Sequence, residues 1–257
     1  MRHWSRIGAI AAAVWLSVAS AATSAGAAEI VLVTTGAVEQ IMKGLIPSFE
    51  QASGHKVTMS VLGTGGAVDK VKGGDFADLI LLGPPALKEL AEAGKVNAST
   101  ITPAFHSRIG FAVKAGAKKP DISTDEAFKK ALLDAKSIGF SIGPSGEHFS
   151  KVVIQKLGVA DQLLPKMKNI RGAPVAVGVA RGEVEVGVHQ IAELMPVAGV
   201  DVVGDLPADL NTTIVYSTGL TTMMKQPEAA RAFVKFITDP AAEAVVRKNG
   251  MVPAPKS

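Results

Sequence analysis

The sequence predicts an α/β fold in two lobes, with two parallel-type sheets flanked by helices. Three observations carry this. Short runs of Val, Ile and Leu alternate with helical patterns along the chain. Each run ends in a loop of Gly, Thr, Ser or Pro that opens the next helix. No internal repeat, low-complexity tract or floppy linker breaks the order. The second lobe is therefore an insertion in the first, joined to it by strands.

Residues 1–28 stand before this pattern. Arg2 and Arg6 give a positive start, residues 7–22 are apolar, and Ala25-Gly26-Ala27 supplies small residues at a cleavage site. This is the pattern of a secretory signal peptide, cut before Ala28 or one residue later. As a membrane span the stretch is short and too rich in Ala, Ser and Gly.

The mature chain opens with Glu29-Ile30-Val31-Leu32-Val33, a continuous apolar run suited to a buried parallel strand. Thr34-Thr35-Gly36 leads into a helix over about 37–51. Val38, Ile41, Met42, Leu45 and Phe49 share one face, and Gly54 stops it. A strand over 57–62 and the loop Gly63-Thr64-Gly65-Gly66 precede a helix through Val68 and Val71. Residues 77–82 form a third strand, which ends at Gly83-Pro84-Pro85 before a helix to Ala93. The next part repeats the grammar. Strands are expected at 109–113, 137–142, 185–188 and 200–203, with a short strand end at Ile170. Helices are expected at 124–134, from Gly143-Pro144-Ser145-Gly146 through Lys156, and from Arg171-Gly172-Ala173-Pro174 to Ala180. A strand over 211–216 returns, and helices over 227–237 and 240–248 close the chain.

Composition narrows the function. The chain has 257 residues, 27 of them basic and 23 acidic. Loss of Arg2 and Arg6 with the signal leaves 25 basic residues, a net charge of about +2. The lysines are scattered, so no nucleic-acid partner is expected. There is no cysteine, which excludes disulfides, thiolate chemistry and a lipid-bearing cysteine. A soluble product with no stable membrane anchor follows. No H-x-x-x-H cluster calls for a metal, and no cofactor is implied. The loop at Gly63 lacks both the Lys-Ser/Thr of a phosphate loop and the third glycine of a dinucleotide loop.

Thr34-Thr35-Gly36, Gly63-Thr64-Gly65-Gly66, Gly143-Pro144-Ser145-Gly146 and Arg171-Gly172-Ala173 each sit just before a helix. A helix start presents unpaired N–H groups and partial positive charge. Glycine admits a ligand to the backbone. Any one of these loops is adequately explained as a cap or turn. Four at the same ends of their sheets favour a cleft for a small anionic ligand.

The order of these pieces resembles a known family. The stretches VTTGAVEQIMKGLIPSFEQASGHKV and GTGGAVDKVKGGDFADLILLG are similar to the opening of periplasmic molybdate-binding proteins and the wider type-II solute-binding family. RGAPVAVGVARGEVEVGVHQIAELMPVAGVDVVGDLPADL and the closing PEAARAFVKFITDPAAEAVVRKNGMVPA fit the same family. The resemblance covers essentially all of 29–254. It implies a two-lobed periplasmic-binding-protein fold (type II), its lobes joined by two crossover strands, with its ligand in the cleft. Lobe 1 would be 29–110 plus 217–257, and lobe 2 would be 111–216. It also implies a periplasmic location and an ABC-type permease as partner.

The sequence departs from the molybdate pattern where that family carries oxyanion-binding serines. One such position falls on Ala37, the other near Thr64 or Gly65. Arginine is scarce after residue 28: Arg108, Arg171, Arg181, Arg231 and Arg247. Arg171 at a helix start and Arg108 at the crossing between lobes suit a carboxylate, which a guanidinium grips with two donors. The expected binding set is Thr34, Thr35, Gly36, Thr64, Gly65, Gly83, Arg108, Ser145, Gly146, Arg171 and Gln190. Glu147, His148 and His189 near loop ends look unlike a site for a bare oxyanion. The aconitate isomerase branch resembles the same binding proteins and moves a double bond within a tricarboxylate. In that alternative His148, His189 or Glu147 would carry the proton. The bland reading of Glu147-His148 is a first helical turn, where Glu is favoured.

Overall fold

The computed structural model describes residues 26–171 and 173–255. Nearly all of the signal segment expected at 1–28 lies outside the described residues, as does Gly172. β1 (Glu29–Thr35), α1 (Gly36–Ser53), β2 (Lys56–Leu62), α2 (Thr64–Lys72), β3 (Leu79–Leu82) and α3 (Pro84–Glu92) alternate in turn. β4 (Thr102–Ser107) follows, and after Arg108 the chain enters β5 (Ile109–Lys114). Next come α4 (Asp125–Asp134), β6 (Ile138–Phe140), α5 (Pro144–His148), α6 (Ile154–Lys156), α7 (Ala160–Leu163), β7 (Met167–Asn169) and α8 (Val175–Ala180). β8 (Val186–Gln190), α9 (Ile191–Leu194) and β9 (Val200–Asp205) end the inserted region. β10 (Ile214–Leu220), α10 (Pro227–Ile237), α11 (Glu243–Lys248) and β11 (Met251–Pro253) complete the fold.

These strands form two sheets. One has the order β11-β4-β10-β3-β1-β2, the other β7-β6-β8-β5-β9. The sheets are mixed rather than wholly parallel. β1 lies parallel to β2 and β3, and β6 lies parallel to β7 and β8. β10, β4 and β11 add antiparallel pairings to the first sheet, and β5 with β9 to the second. The antiparallel strands include those that enter and leave the inserted region.

The apolar pattern builds the layers. In β1, Ile30 and Leu32 pack with the buried face of α1, while Val33 packs on the opposite side with residues of α2 and α3. That is the period-2 alternation of a strand covered on both faces. Gly54 closes α1 at φ 74°, a left-handed turn that glycine adopts without a Cβ penalty. Phe49 of α1 meets Phe233 and Phe236 of α10 edge-on, with centroids 4.8 and 5.5 Å apart. The largest buried cluster runs on from Phe105 of the first sheet to Ile109 and Phe111 of the second.

Two polar side chains fix the connections. Asp78 is fully buried, and its carboxylate accepts the backbone N–H groups of Val31, Lys225 and Gln226 at 2.9, 2.7 and 3.2 Å. It thereby ties the approach to α10 onto the start of β3. Asn211 bridges the two crossings. Its Oδ1 accepts the Ile109 N–H at 3.0 Å, and its amide donates to the Ile109 carbonyl at 2.8 Å and the Leu206 carbonyl at 3.3 Å.

Candidate functional site

Loops of both sheets border one cavity of about 480 Å³. One wall is the β1–α1 junction at Thr35, Gly36 and Ala37, with the β2–α2 turn at Gly63 and Thr64. The other wall runs from Ser141 to Ser145 and includes Arg171. His189, Gln190, Glu193 and Tyr216 complete the lining.

The β1–α1 junction leaves its polar groups unspent. Thr35 occupies the cap position in extended conformation, yet its side chain makes no capping bond. Its Oγ1 is buried and has no partner among the described residues. The first-turn N–H groups of the 18-residue α1 point the same way, since a helix start has no internal acceptors for them. α2 likewise begins after Gly63 without a side-chain cap. Unpaired buried donors and acceptors are costly and uncommon, so a cluster of them beside a cavity marks a place for a polar ligand.

The opposite wall is shaped by backbone packing. Ser145 is fully buried, with its Oγ 3.5 Å from Ser141 Oγ. A Cβ on Gly146 would stand 1.7 Å from the Ser141 carbonyl oxygen. Gly146 thus allows two backbone segments to touch and is not itself in the lining. The helix continues as a π turn over Phe149–Val153, and Ser150 Oγ donates to the Gly146 carbonyl at 2.7 Å. π turns of this kind occur often beside functional sites.

His189, Gln190, Glu193 and Tyr216 form a connected group. Tyr216 Oη donates to Gln190 Oε1 at 3.0 Å, and Gln190 Nε2 donates to Glu193 Oε2 at 3.0 Å. His189 Nδ1 lies 3.4 Å from Glu193 Oε2 but makes no hydrogen bond among the described residues. Burial lowers the His189 pKa to about 4. Burial raises that of Glu193 to about 7, although the Gln190 bond opposes the rise. Burial, reinforced by the nearby Glu193 charge, also raises that of Tyr216. Desolvation penalises the charged form in each case. The His189–Glu193 approach is therefore contact between two groups pushed to neutrality, with Glu193 charged only above about pH 7 and His189 only below about pH 4.

Of the residues singled out in the sequence, Thr35, Gly36, Thr64, Ser145, Arg171, His189 and Gln190 line this cavity. The others lie elsewhere. Thr34 is buried and donates to the Leu81 carbonyl at 2.8 Å. Gly65 and Gly83 are outside the lining, Gly83 as the residue before α3. Arg108 pairs with Asp205 at 2.9 Å on the surface. Glu147 is exposed and lies 3.6 Å from Lys151, as a first-turn glutamate does. His148 Nε2 is 2.9 Å from the Leu210 carbonyl oxygen. Ser141, Glu193 and Tyr216 line the cavity without having been anticipated. Only the strand end at His189-Gln190 signalled this region; no local pattern marks Glu193 or Tyr216. α8 starts only at Val175, after Pro174, which has no N–H to offer.

A fold of two sheets around a cleft, with anion-ready loops on both walls, defines a class of ligand-capturing proteins. The chain belongs to the family of bacterial extracellular solute-binding proteins, whose pattern matches residues 30–252. It is 29% identical over 229 residues to an aconitate isomerase from a Pseudomonas species, covering 87% of each chain. It is 26% identical over 243 residues to the molybdate-binding protein ModA of Azotobacter vinelandii, covering 89% of this chain and 92% of that one. The solved structure of the sulfate-binding protein SubI from Mycobacterium tuberculosis H37Rv superposes with a TM-score of 0.71 at 20% identity, covering 88% and 87%. Among the described residues, no helix is long and apolar enough to cross a membrane.

Proposed function

We propose that this protein captures a small anion, an oxyanion or a di- or tricarboxylate, by closing its two lobes over the cleft. Lobe 1 is taken as 29–110 plus 217–257 and lobe 2 as 111–216. The observation that carries the reading is the Thr35 hydroxyl, without a partner among the described residues, at the open start of α1 in one cavity with Arg171. Exported by residues 1–28 and released into the periplasm, the loaded protein would deliver its anion to an ABC-type permease. The names of the relatives support an anionic cargo. A thermal-shift screen of the purified protein against molybdate, tungstate, sulfate, phosphate and di- and tricarboxylates tests it. A rise in melting temperature with at least one of these is expected, and none would refute it.

A second reading follows from Glu193 and the isomerase relative. A carboxyl that titrates near 7 inside a cleft suits a general acid and base. In an allylic shift of trans-aconitate, one C–H bond breaks, the double bond moves by one carbon, and a C–H bond forms at the far carbon. Glu193 would carry the proton between the two carbons. Conversion of trans- to cis-aconitate, followed by chromatography, decides for this reading; binding without conversion leaves the solute binder.

A further inference from the structure

We propose that Glu193 is a specificity-determining residue that makes anion capture proton-coupled, so that a ligand carboxylate and the Glu193 carboxyl bind as a pair sharing one proton. This rests on the anion-binding reading of the cleft and deepens it. Glu193 enters the cavity that Thr35, Gly36 and Arg171 also line. Its Oε1 lies 3.9 Å from where a Cβ on Gly36 would stand, at the start of α1. Its Oε2 is held by Gln190. Around it Thr35, 7% exposed, and His189, 5% exposed, keep a side-chain polar atom without a partner among the described residues. An anion seated at the α1 start thus meets a carboxyl oxygen a few ångströms away.

The neighbours of Glu193 decide where the proton goes. β8 contributes His189, which burial keeps neutral, and Gln190. β10 contributes Tyr216, whose proton is held more tightly than usual. α1 carries an ionisable pair, Glu39 with Lys43 at 2.6 Å. α8 carries no ionisable residue. β5 carries Lys114. β9 carries Asp201, which accepts the Gly116 N–H, and Asp205, which pairs with Arg108. Arg171 stands on the cavity wall. No Lys or Arg pairs with Glu193 among the described residues.

Two carboxylates in a desolvated cleft do not both stay ionised. One solvent proton joins them, giving a carboxylic acid that donates a short, charge-assisted bond to a carboxylate. The balance is one Glu193 carboxylate, one ligand carboxylate and one proton in, one hydrogen-bonded pair out; no bond to carbon changes. Carboxylates suit the arrangement because their basicity matches that of Glu193. Sulfate is a far weaker base and holds the shared proton less well.

Calorimetric titration with trans-aconitate, in pairs of buffers of unlike ionisation enthalpy, counts the protons taken up. Uptake is expected to approach one per ligand at pH 8 and to be near zero at pH 6. Affinity should fall by about tenfold per pH unit above 7. Sulfate should bind at least about tenfold more weakly than trans-aconitate at pH 6. Glu193→Gln should bind trans-aconitate with no uptake and no such pH dependence. The wild-type count needs no variant, so a misfolded variant does not blunt the test. No uptake at pH 8, uptake retained by Glu193→Gln, or tighter binding of sulfate overturns the inference. A protein that binds either anion without uptake remains an anion binder, whereas one that binds neither of these nor any anion of the screen loses both readings.

Discussion

Between about pH 4.5 and 6.5, Glu193 and His189 hold one proton between them in the folded protein and in the unfolded chain alike, but on different residues. Unfolded, His189 takes up its proton below about 6.5 and Glu193 below about 4.5; folded, the values are about 4 and about 7. Between about 4.5 and 6.5 the two contributions to the slope of stability with pH therefore cancel. Single substitutions unmask them. In Glu193→Gln only the depressed His189 remains, so stability should fall as pH drops below 6.5. In His189→Gln only the raised Glu193 remains, so stability should fall as pH rises from 4.5 through 7. Thermal melts over pH 4–8 check this, and parallel profiles for all three proteins would contradict it. Arg171→Ala should weaken binding of the anion roughly thirty-fold or more, the cost of losing a charged partner in a closed site. Arg231→Ala should change little, since Arg231 borders a different concavity with Thr100 and Val234. Equal losses in calorimetry would reject the assignment. Thr35, Thr64 and Ser145 were legible as cavity-lining residues because apolar runs reveal where strands end and helices begin; Arg171 lines the cavity too, but from the loop ahead of α8, not from the helix start the sequence suggested. Glu193 and Tyr216 were not, because nothing local in AELM or VYST shows that packing will bury them side by side.

Elements depend on a few obligatory contacts. Asp78→Ala would leave three backbone N–H groups without their acceptor and free the approach to α10 from β3. A loss of about 3 kcal/mol or more is expected from urea unfolding, given the cost of orphaned buried donors. Gly146→Ala cannot be accommodated without moving Ser141, because its Cβ would meet backbone, not a flexible side chain. The melting temperature of that variant should drop by several degrees, and the drop should persist in the presence of any ligand found. The α/β alternation of these elements was readable from periodicity. β4 was not, because its sequence TPAFHS contains a proline and no apolar run; its pairing with β10 and β11 makes it a strand. Strand direction was unreadable for the same reason. An apolar run looks alike whichever neighbour it lies beside, so the antiparallel strands of both sheets emerge only from the topology.

At the scale of the whole molecule, the two sheets are linked through Arg108 in one direction and residues 206–213 in the other. Asn211 fastens these two passages to each other through the Ile109 backbone. Asn211→Ala should cost about 1–3 kcal/mol in unfolding experiments, since the Ile109 N–H loses its acceptor while the Ile109 carbonyl keeps only the Leu206 N–H. Solution scattering of the unliganded variant should also show a wider spread of lobe arrangements than the parent; an unchanged profile would deny Asn211 that coupling role. Tyr216 lies in the cavity lining with its hydroxyl on Gln190. It is the only tyrosine of the sequence, and both tryptophans, Trp4 and Trp15, precede residue 29. In a chain that begins at residue 28 or 29, emission excited near 280 nm, where phenylalanine hardly absorbs, would come from Tyr216 at the cleft, with no indole to drain the excitation. Such a chain would carry its own optical gauge of occupancy, and mixing it rapidly with ligand would let closure be timed without any attached dye.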